Sequence, residues 1–243
     1  VEVLGQPPTA TRTPTPRPTA TATATPTSTP KPLVPVYLPL VVFQRCQDKT
    51  VFADVVLSID TSGSMAQPAA DGQRSRLQAG AEAASQFATL LVAEAGNRAG
   101  LVTFDSEARL LAPLTGDAAA LQAILGGLVT RQGTRIDQGL AVAAAALTGP
   151  DARPEANRVI VLLTDGRVDI DPQLVLQAAD AAKAAGLRIL AVGLGNEVDV
   201  DFDLLAQLAS APTDVYRAPS TAELRLIYSQ IAYTLRCPNL DWP

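Results

Sequence analysis

Two hydrophobic periods alternate along most of this chain, and that alternation limits the fold more than any other feature. VFADVVLSID (51–60), RAGLVTFD (98–105), NRVIVLLTD (157–165) and LRILAVGLG (187–195) are short, nearly unbroken apolar runs that read as buried strands. Helical stripes lie between them. In SRLQAGAEAASQFATLLVAEAG (75–96), Leu77, Ala81, Ala84, Ala88 and Leu91 fall on one face, with Ser75 as N-cap and Gly96 as the stop. ARLLAPL (108–114) follows RAGLVTFD across a turn at 105–107 and reads as a hairpin.

Two helical stretches, DAAALQAILGGL and IDQGLAVAAAAL, are separated by VTRQGT. DPQLVLQAADAAKAAG is a further helix, with Asp171 as N-cap, Pro172 at its first position and Gly186 at its end. DFDLLAQLAS, the short strand DVYRAP and TAELRLIYSQIAYTL complete the series. The expected fold is a doubly wound, Rossmann-like α/β domain. Its six-stranded sheet is mostly parallel, with one antiparallel edge strand and helices on both faces. Ligands in such folds bind beyond the carboxyl ends of the strands, where Asp60 and Asp165 fall.

The first 45 residues do not share this pattern. PPTATRTPTPRPTATATATPTSTPKP (7–32) carries no large apolar side chain and is expected to stay extended. A plain spacer and an O-glycosylated, mucin-like stem both make it a stalk. LVPVYLPLVVF (33–43) fits either an edge strand or the sticky end of that linker. The expected division is a stalk over 1–45, a folded domain over 46–237 and a short tail over 238–243. The chain opens on Val1, as a processed form or a fragment would, so a missing signal peptide carries no weight. No run of about 20 apolar residues is present to span a bilayer.

Composition removes several functions. The chain has no histidine, so no Ser-His-Asp triad, Cys-His pair or imidazole zinc site can form. A net charge of -5 argues against nucleic acid as a partner.

DVVLSIDTSGSM (54–65) then poses the chemical question, because an apolar strand ends in Asp60, Thr61, Ser62 and Ser64 around Gly63. An aspartic protease would need a second Asp-Thr-Gly loop, and none exists. An aspartyl-phosphate enzyme would want an acid where Ser62 stands, although Thr164 and Lys183 could fill its other slots. A dinucleotide site lacks its Gly-x-Gly-x-x-Gly; Gly193 and Gly195 come late and without the third glycine. Asp-x-Ser-x-Ser can also converge three oxygens on a hard cation such as Mg²⁺. The plain structural alternative is a loop in which these side chains satisfy backbone amides.

DTSGSM, the Gly133-Thr134 pair in RQGTRID and Thr164-Asp165-Gly166 in VIVLLTDG occur in this order on an alternating α/β chain. Together they resemble the von Willebrand factor type A domain with its metal-ion-dependent adhesion site, over about residues 50 to 236. The resemblance implies Ser62 and Ser64 as direct ligands of Mg²⁺, with Mn²⁺ or Ca²⁺ as alternatives. Asp60 would bind directly or through water, Thr134 directly in a high-affinity state, and Asp165 through water or weakly. It implies a protein partner that completes the shell with an acidic residue, no enzymatic activity, and an extracellular or cell-surface setting. It also implies a disulfide between Cys46 and Cys237, which flank the domain and would suit an oxidising compartment. The same fold serves intracellular chelatase and ATPase assemblies, which stay open as an alternative, as does an Asp60-dependent phosphoryl transfer. Asp199, Asp201 and Asp203 lack the glycine and glutamate of a Ca²⁺ loop and read as helix N-terminal acids. Asp169 and Asp171 fit a ligand rim or a helix cap, and Arg131 and Arg135 fit either a salt bridge to an acidic partner or a solvated surface.

Overall fold

The computed structural model of the protein describes residues 52–166, 170–195 and 198–236. The stalk expected over 1–45, the apolar 33–43 segment, the 238–243 tail, Asp169 and both cysteines lie outside the described residues.

Six strands form one sheet in the order β3-β2-β1-β4-β5-β6. The strands are β1 (Ala53–Asp60), β2 (Arg98–Phe104), β3 (Ala108–Thr115), β4 (Asn157–Thr164), β5 (Arg188–Leu194) and β6 (Val215–Ala218). All pairings are parallel except β2 with β3, whose short turn leaves no length for a crossover. The helices are α1 (Arg76–Val92), α2 (Ala118–Leu125), α3 (Ile136–Thr148), α4 (Pro172–Ala184), α5 (Phe202–Leu208) and α6 (Thr221–Arg236).

Period-2 alternation sends successive strand residues into two cores. Val55, Leu57 and Ile59 of β1 join Val161 and Leu163 of β4 beneath α1, α2 and α6. Val56, Ile160 and Leu162 face the other way, beneath α3, α4 and α5. Each fully buried Leu, Ile or Val contributes about 1.5–3 kcal/mol relative to exposure. Because both faces are covered, β1 is buried along its whole length. That explains why its sequence reads as a continuous apolar run rather than an alternating one.

The helix boundaries follow their caps. Ser75 accepts the Gln78 N–H at 3.1 Å while the Gln78 side chain accepts the Ser75 N–H at 2.9 Å, a reciprocal capping box. Helix α1 ends at Val92, short of the expected Gly96 stop, which lies beyond it at φ +93°. Asp171 caps α4 by accepting the Gln173 N–H at 2.9 Å, and Pro172 takes the first helical position. Two 3-10 turns, Gly63–Ala66 and Pro212–Asp214, were not legible as periodic segments. The first of them shapes the site.

Candidate metal centre

β1 and β4 are neighbours in parallel register, with Ile59 opposite Leu163, so Asp60 and Thr164 end their strands side by side. The Thr164 hydroxyl donates to Asp60 Oδ2 at 2.6 Å. The Ser62 N–H donates to Asp60 Oδ1 at 2.7 Å, an Asx-type turn that reverses the chain as it leaves the sheet. The 3-10 turn then buries Met65 and swings Ser64 back. Ser62 Oγ and Ser64 Oγ lie 2.9 Å apart, and the Ser64 hydroxyl donates to Asp165 Oδ1 at 2.7 Å. Four of the five expected residues therefore form one hydrogen-bonded chain.

Thr134 is brought to the same end of the sheet by the α2–α3 loop, outside that chain of bonds. The loop is tied to its neighbours through its backbone. The Arg131 N–H donates to Thr61 O at 2.7 Å, the Ser106 N–H to Gln132 O at 2.8 Å, and the Arg135 N–H to Asp105 O at 2.8 Å. Gly133 adopts φ +86°, and a Cβ there would lie 2.9 Å from Ser106 Cα, so the close approach of the two loops depends on glycine. Thr134 is buried as a result. Thr61 donates its hydroxyl to Phe104 O at 3.0 Å and to Asp105 Oδ2 at 3.3 Å, which links the β1 and β2 ends.

The electrostatics of the buried aspartates divide sharply. Among the described residues five aspartates are buried: Asp54, Asp60, Asp105, Asp165 and Asp214. Asp54 is paired with Arg98 and Arg153, Asp105 with Arg109, Asp165 with Arg76 and Asp214 with Arg188. Asp60 meets no arginine among the described residues; its partners there are the Ser62 N–H and the Thr164 hydroxyl. Burial pushes the Asp60 carboxyl up to about 6, against the opposing pull of those bonds, and the nearby Asp165 carboxylate adds to the rise. At Asp105 burial also acts upward, but the Arg109 hydrogen bond and the other donors outweigh it and the carboxyl falls below its ordinary value.

Among the described residues no group of three or more Asp, Glu, Cys or His side chains could hold a metal, so an ion here would depend on hydroxyls. The oxygens fit one. A 2.9 Å gap between the two serine hydroxyls matches the edge of an octahedron of oxygens about 2.1 Å from a central Mg²⁺. The donor set of hydroxyl and carboxylate oxygen also suits a hard cation. Asp60, Ser62, Ser64 and Asp165 are the residues that would hold it, with Thr134 entering from the adjoining loop. It would supply a Lewis-acidic position able to accept a further carboxylate.

Two residues at the site escaped the sequence reading. Thr164 was visible in the TDG run, but only the strand register shows that its hydroxyl supports Asp60. Arg76 carried no signal, because it meets Asp165 across 89 residues. Other placements differ from expectation. Asp201 caps α5 through the Leu204 N–H at 2.9 Å, as a helix N-terminal acid does, whereas Asp199 binds Arg76 at 2.9 Å. Arg135 forks onto Asp137 at 2.8 and 2.7 Å rather than standing free in solvent. Lys183 lies on α4, bonded to Asp180 and to Gln207 O.

Residues 55–167 match the von Willebrand factor type A domain family. A UPF0353 protein of Mycolicibacterium paratuberculosis is 33% identical over 205 residues, which covers 74% of this chain and 59% of that protein. The chain thus spans about three-fifths of the length of the curated relatives it matches. The vWF domain of the type V pili tip protein Mfa5 from Porphyromonas gingivalis superposes with a TM-score of 0.67 at 18% identity, covering 79% of this chain and 98% of that one. The pilus adhesin SpaC from Lactobacillus rhamnosus GG gives 0.65 at 18% identity, covering 79% of this chain and 31% of the adhesin. At these identities the likeness is one of fold, and it agrees with the strand order and the antiparallel edge described above. The chain is therefore similar to von Willebrand factor type A domains, in sequence over residues 55–167 and in fold across the sheet.

Proposed function

We propose that this domain is a non-enzymatic, divalent-cation-dependent protein-binding module that works outside the cytoplasm. Asp60, Ser62, Ser64, Thr134 and Asp165 hold Mg²⁺, with Mn²⁺ or Ca²⁺ as substitutes, and an acidic side chain of a protein partner completes the shell. One observation carries this reading: of the buried aspartates described, Asp60 is the one without a cationic partner among the described residues, and it stands at the strand end where two hydroxyls and a second carboxylate converge. A buried carboxylate without an opposing charge is costly, and a bound cation would relieve that cost. Only two carboxylates would face the ion, so it would keep enough positive charge to attract a third from a partner. The surface setting draws support from the stalk-like composition of the first 45 residues and from the pilus proteins that share the fold.

Phosphoryl transfer draws less support. Both Asp60 oxygens already accept hydrogen bonds, and Lys183 is engaged elsewhere on α4.

Calorimetric titration of the metal-free protein with MgCl₂ tests the proposal. The wild type is expected to bind one ion, and Asp60→Ala is expected to lose binding while keeping its circular dichroism spectrum. Equal Mg²⁺ affinity in the two proteins would falsify the assignment.

A further inference from the structure

Arg76 is the first residue of α1, and its side chain is 13% exposed. Its guanidinium is shared between two carboxylates: Nη1 donates to Asp165 Oδ2 at 2.9 Å and Nη2 to Asp199 Oδ2 at 2.9 Å. Asp165 is held from both sides, because its Oδ1 accepts the Ser64 hydroxyl at 2.7 Å. Its two oxygens thus face different neighbours, one a candidate ligand and the other a fixed positive charge.

We propose that Arg76 is an affinity-setting residue of the metal centre, a built-in counter-charge that limits how tightly the site holds a cation. The inference rests on the metal reading above and adds a residue to it. Without Arg76, Asp60 and Asp165 would present two negative charges to an ion. With Asp199 counted as well, Arg76 lowers the local sum from three negative charges to two. The planar guanidinium fork also fixes the direction of Asp165, since two of its N–H groups are committed to separate carboxylates on separate loops. Asp165 consequently cannot turn both oxygens toward an ion while Arg76 stays in place. Both effects weaken cation binding, and both leave a bound cation more attractive to an incoming carboxylate.

The position of Arg76 is built rather than incidental. The reciprocal Ser75–Gln78 capping box fixes the start of α1, and hence the point from which the side chain reaches across to the β4 end. Asp199 holds the far side of the guanidinium, which keeps it from swinging into solvent. The site therefore contains a cation of its own beside the place for an exchangeable one.

Arg76→Gln removes the charge and retains a polar side chain of similar reach. Arg76→Lys keeps the charge. Titrations of wild type and both variants with MgCl₂, and separately with TbCl₃ followed by luminescence, distinguish a charge effect from a packing effect. Coulomb energy scales with the charge of the ion. Arg76→Gln is expected to bind Mg²⁺ about tenfold more tightly and Tb³⁺ about thirtyfold more tightly, with Arg76→Lys staying nearer to wild type. Thermal melts in EDTA check that each variant is folded. Unchanged or weaker ion binding by folded Arg76→Gln would overturn the proposal, as would equal gains for the two ions. A wild type that binds no ion beside an Arg76→Gln protein that does would support Arg76 as the brake and overturn the functional reading. No ion binding by either protein overturns both.

Discussion

Asp54 and Asp60 stand near opposite ends of β1, both fully buried, and they have been given different surroundings. Asp54 receives Nε and Nη2 of Arg98 at 2.9 and 2.6 Å, Nε of Arg153 at 3.1 Å, and a further bond from Arg153 Nη2. Burial acts to raise its carboxyl, but the two guanidinium groups outweigh burial and hold it below the usual range. Asp60 meets only an amide and a hydroxyl, and its carboxyl is pushed up to about 6. One strand thus carries a closed ion cluster at its base and an open one at its tip. The difference teaches where to look for function. A buried acid that the chain neutralises itself is part of the scaffold, whereas Asp60, with no cation beside it among the described residues, is where the proposed ion would act.

The largest test of this contrast is at the base. Asp54→Ala leaves Arg98 and Arg153 without their shared carboxylate, and breaking such a buried cluster costs about 3–5 kcal/mol of stability. Urea unfolding is expected to show that loss with no change in Mg²⁺ affinity; an effect on affinity would mean the two ends are coupled. At the tip the pattern reverses. Asp60→Ala is expected to weaken Mg²⁺ binding by more than about a hundredfold, beyond the loss typical of residues that only support a ligand. In EDTA the same variant is expected to lose less stability than Asp54→Ala, because it orphans an amide and a hydroxyl rather than two guanidinium groups. A large loss of stability in EDTA would make Asp60 a structural residue like Asp54.

Thr164→Val sharpens the comparison by deleting the hydroxyl that supports Asp60 Oδ2 and keeping the side-chain shape. Mg²⁺ affinity is expected to fall about 10- to 100-fold, measured by the same calorimetry. The smallest effect is on pH dependence. Asp54 has a depressed carboxyl in the folded state, so its contribution is complete above the unfolded value near 3.8 and disappears as pH falls through its lower folded value. Asp60 has the opposite sign. Its folded value lies above the unfolded one, so in EDTA its contribution is complete below about 3.8 and is lost as pH rises through about 6. Denaturant curves in EDTA between pH 3 and 7 are expected to be flatter at the acid end for Asp54→Asn and flatter between pH 4 and 6 for Asp60→Asn. Identical profiles for the two variants would erase the distinction.

Much of this protein was legible before any coordinates. The runs 51–60, 157–165 and 187–195 announced strands buried on both faces, and β1, β4 and β5 are such strands. Ser75 and Asp171 announced helix starts because a hydroxyl or carboxylate before an apolar stripe satisfies free amides of the first turn. The Asp60, Ser62 and Ser64 spacing was local enough to read as converging oxygens. Asp199, read with Asp201 and Asp203 as a helix N-terminal acid, precedes α5, but its side chain is taken up by Arg76, which the sequence did not suggest. The fold sends Asp201 to a helix cap and Asp199 to Arg76.

What the sequence determined by itself was whatever depends on neighbours along the chain: strand and helix periods, caps, the absence of histidine, and the oxygen-rich turn after β1. Tertiary structure decided the neutralisation of Asp54, Asp165 and Asp214, whereas Asp105 finds Arg109 four residues along the chain. The arginines on Asp54 come from 44 and 99 residues away, and the one on Asp165 from 89. For these pairs no local pattern foretells the guanidinium, since charge pairing is set by distance in space and the sheet order sets that distance. Asp60 was readable as an acid at a strand end, but only the folded sheet left it without a positive partner among the described residues.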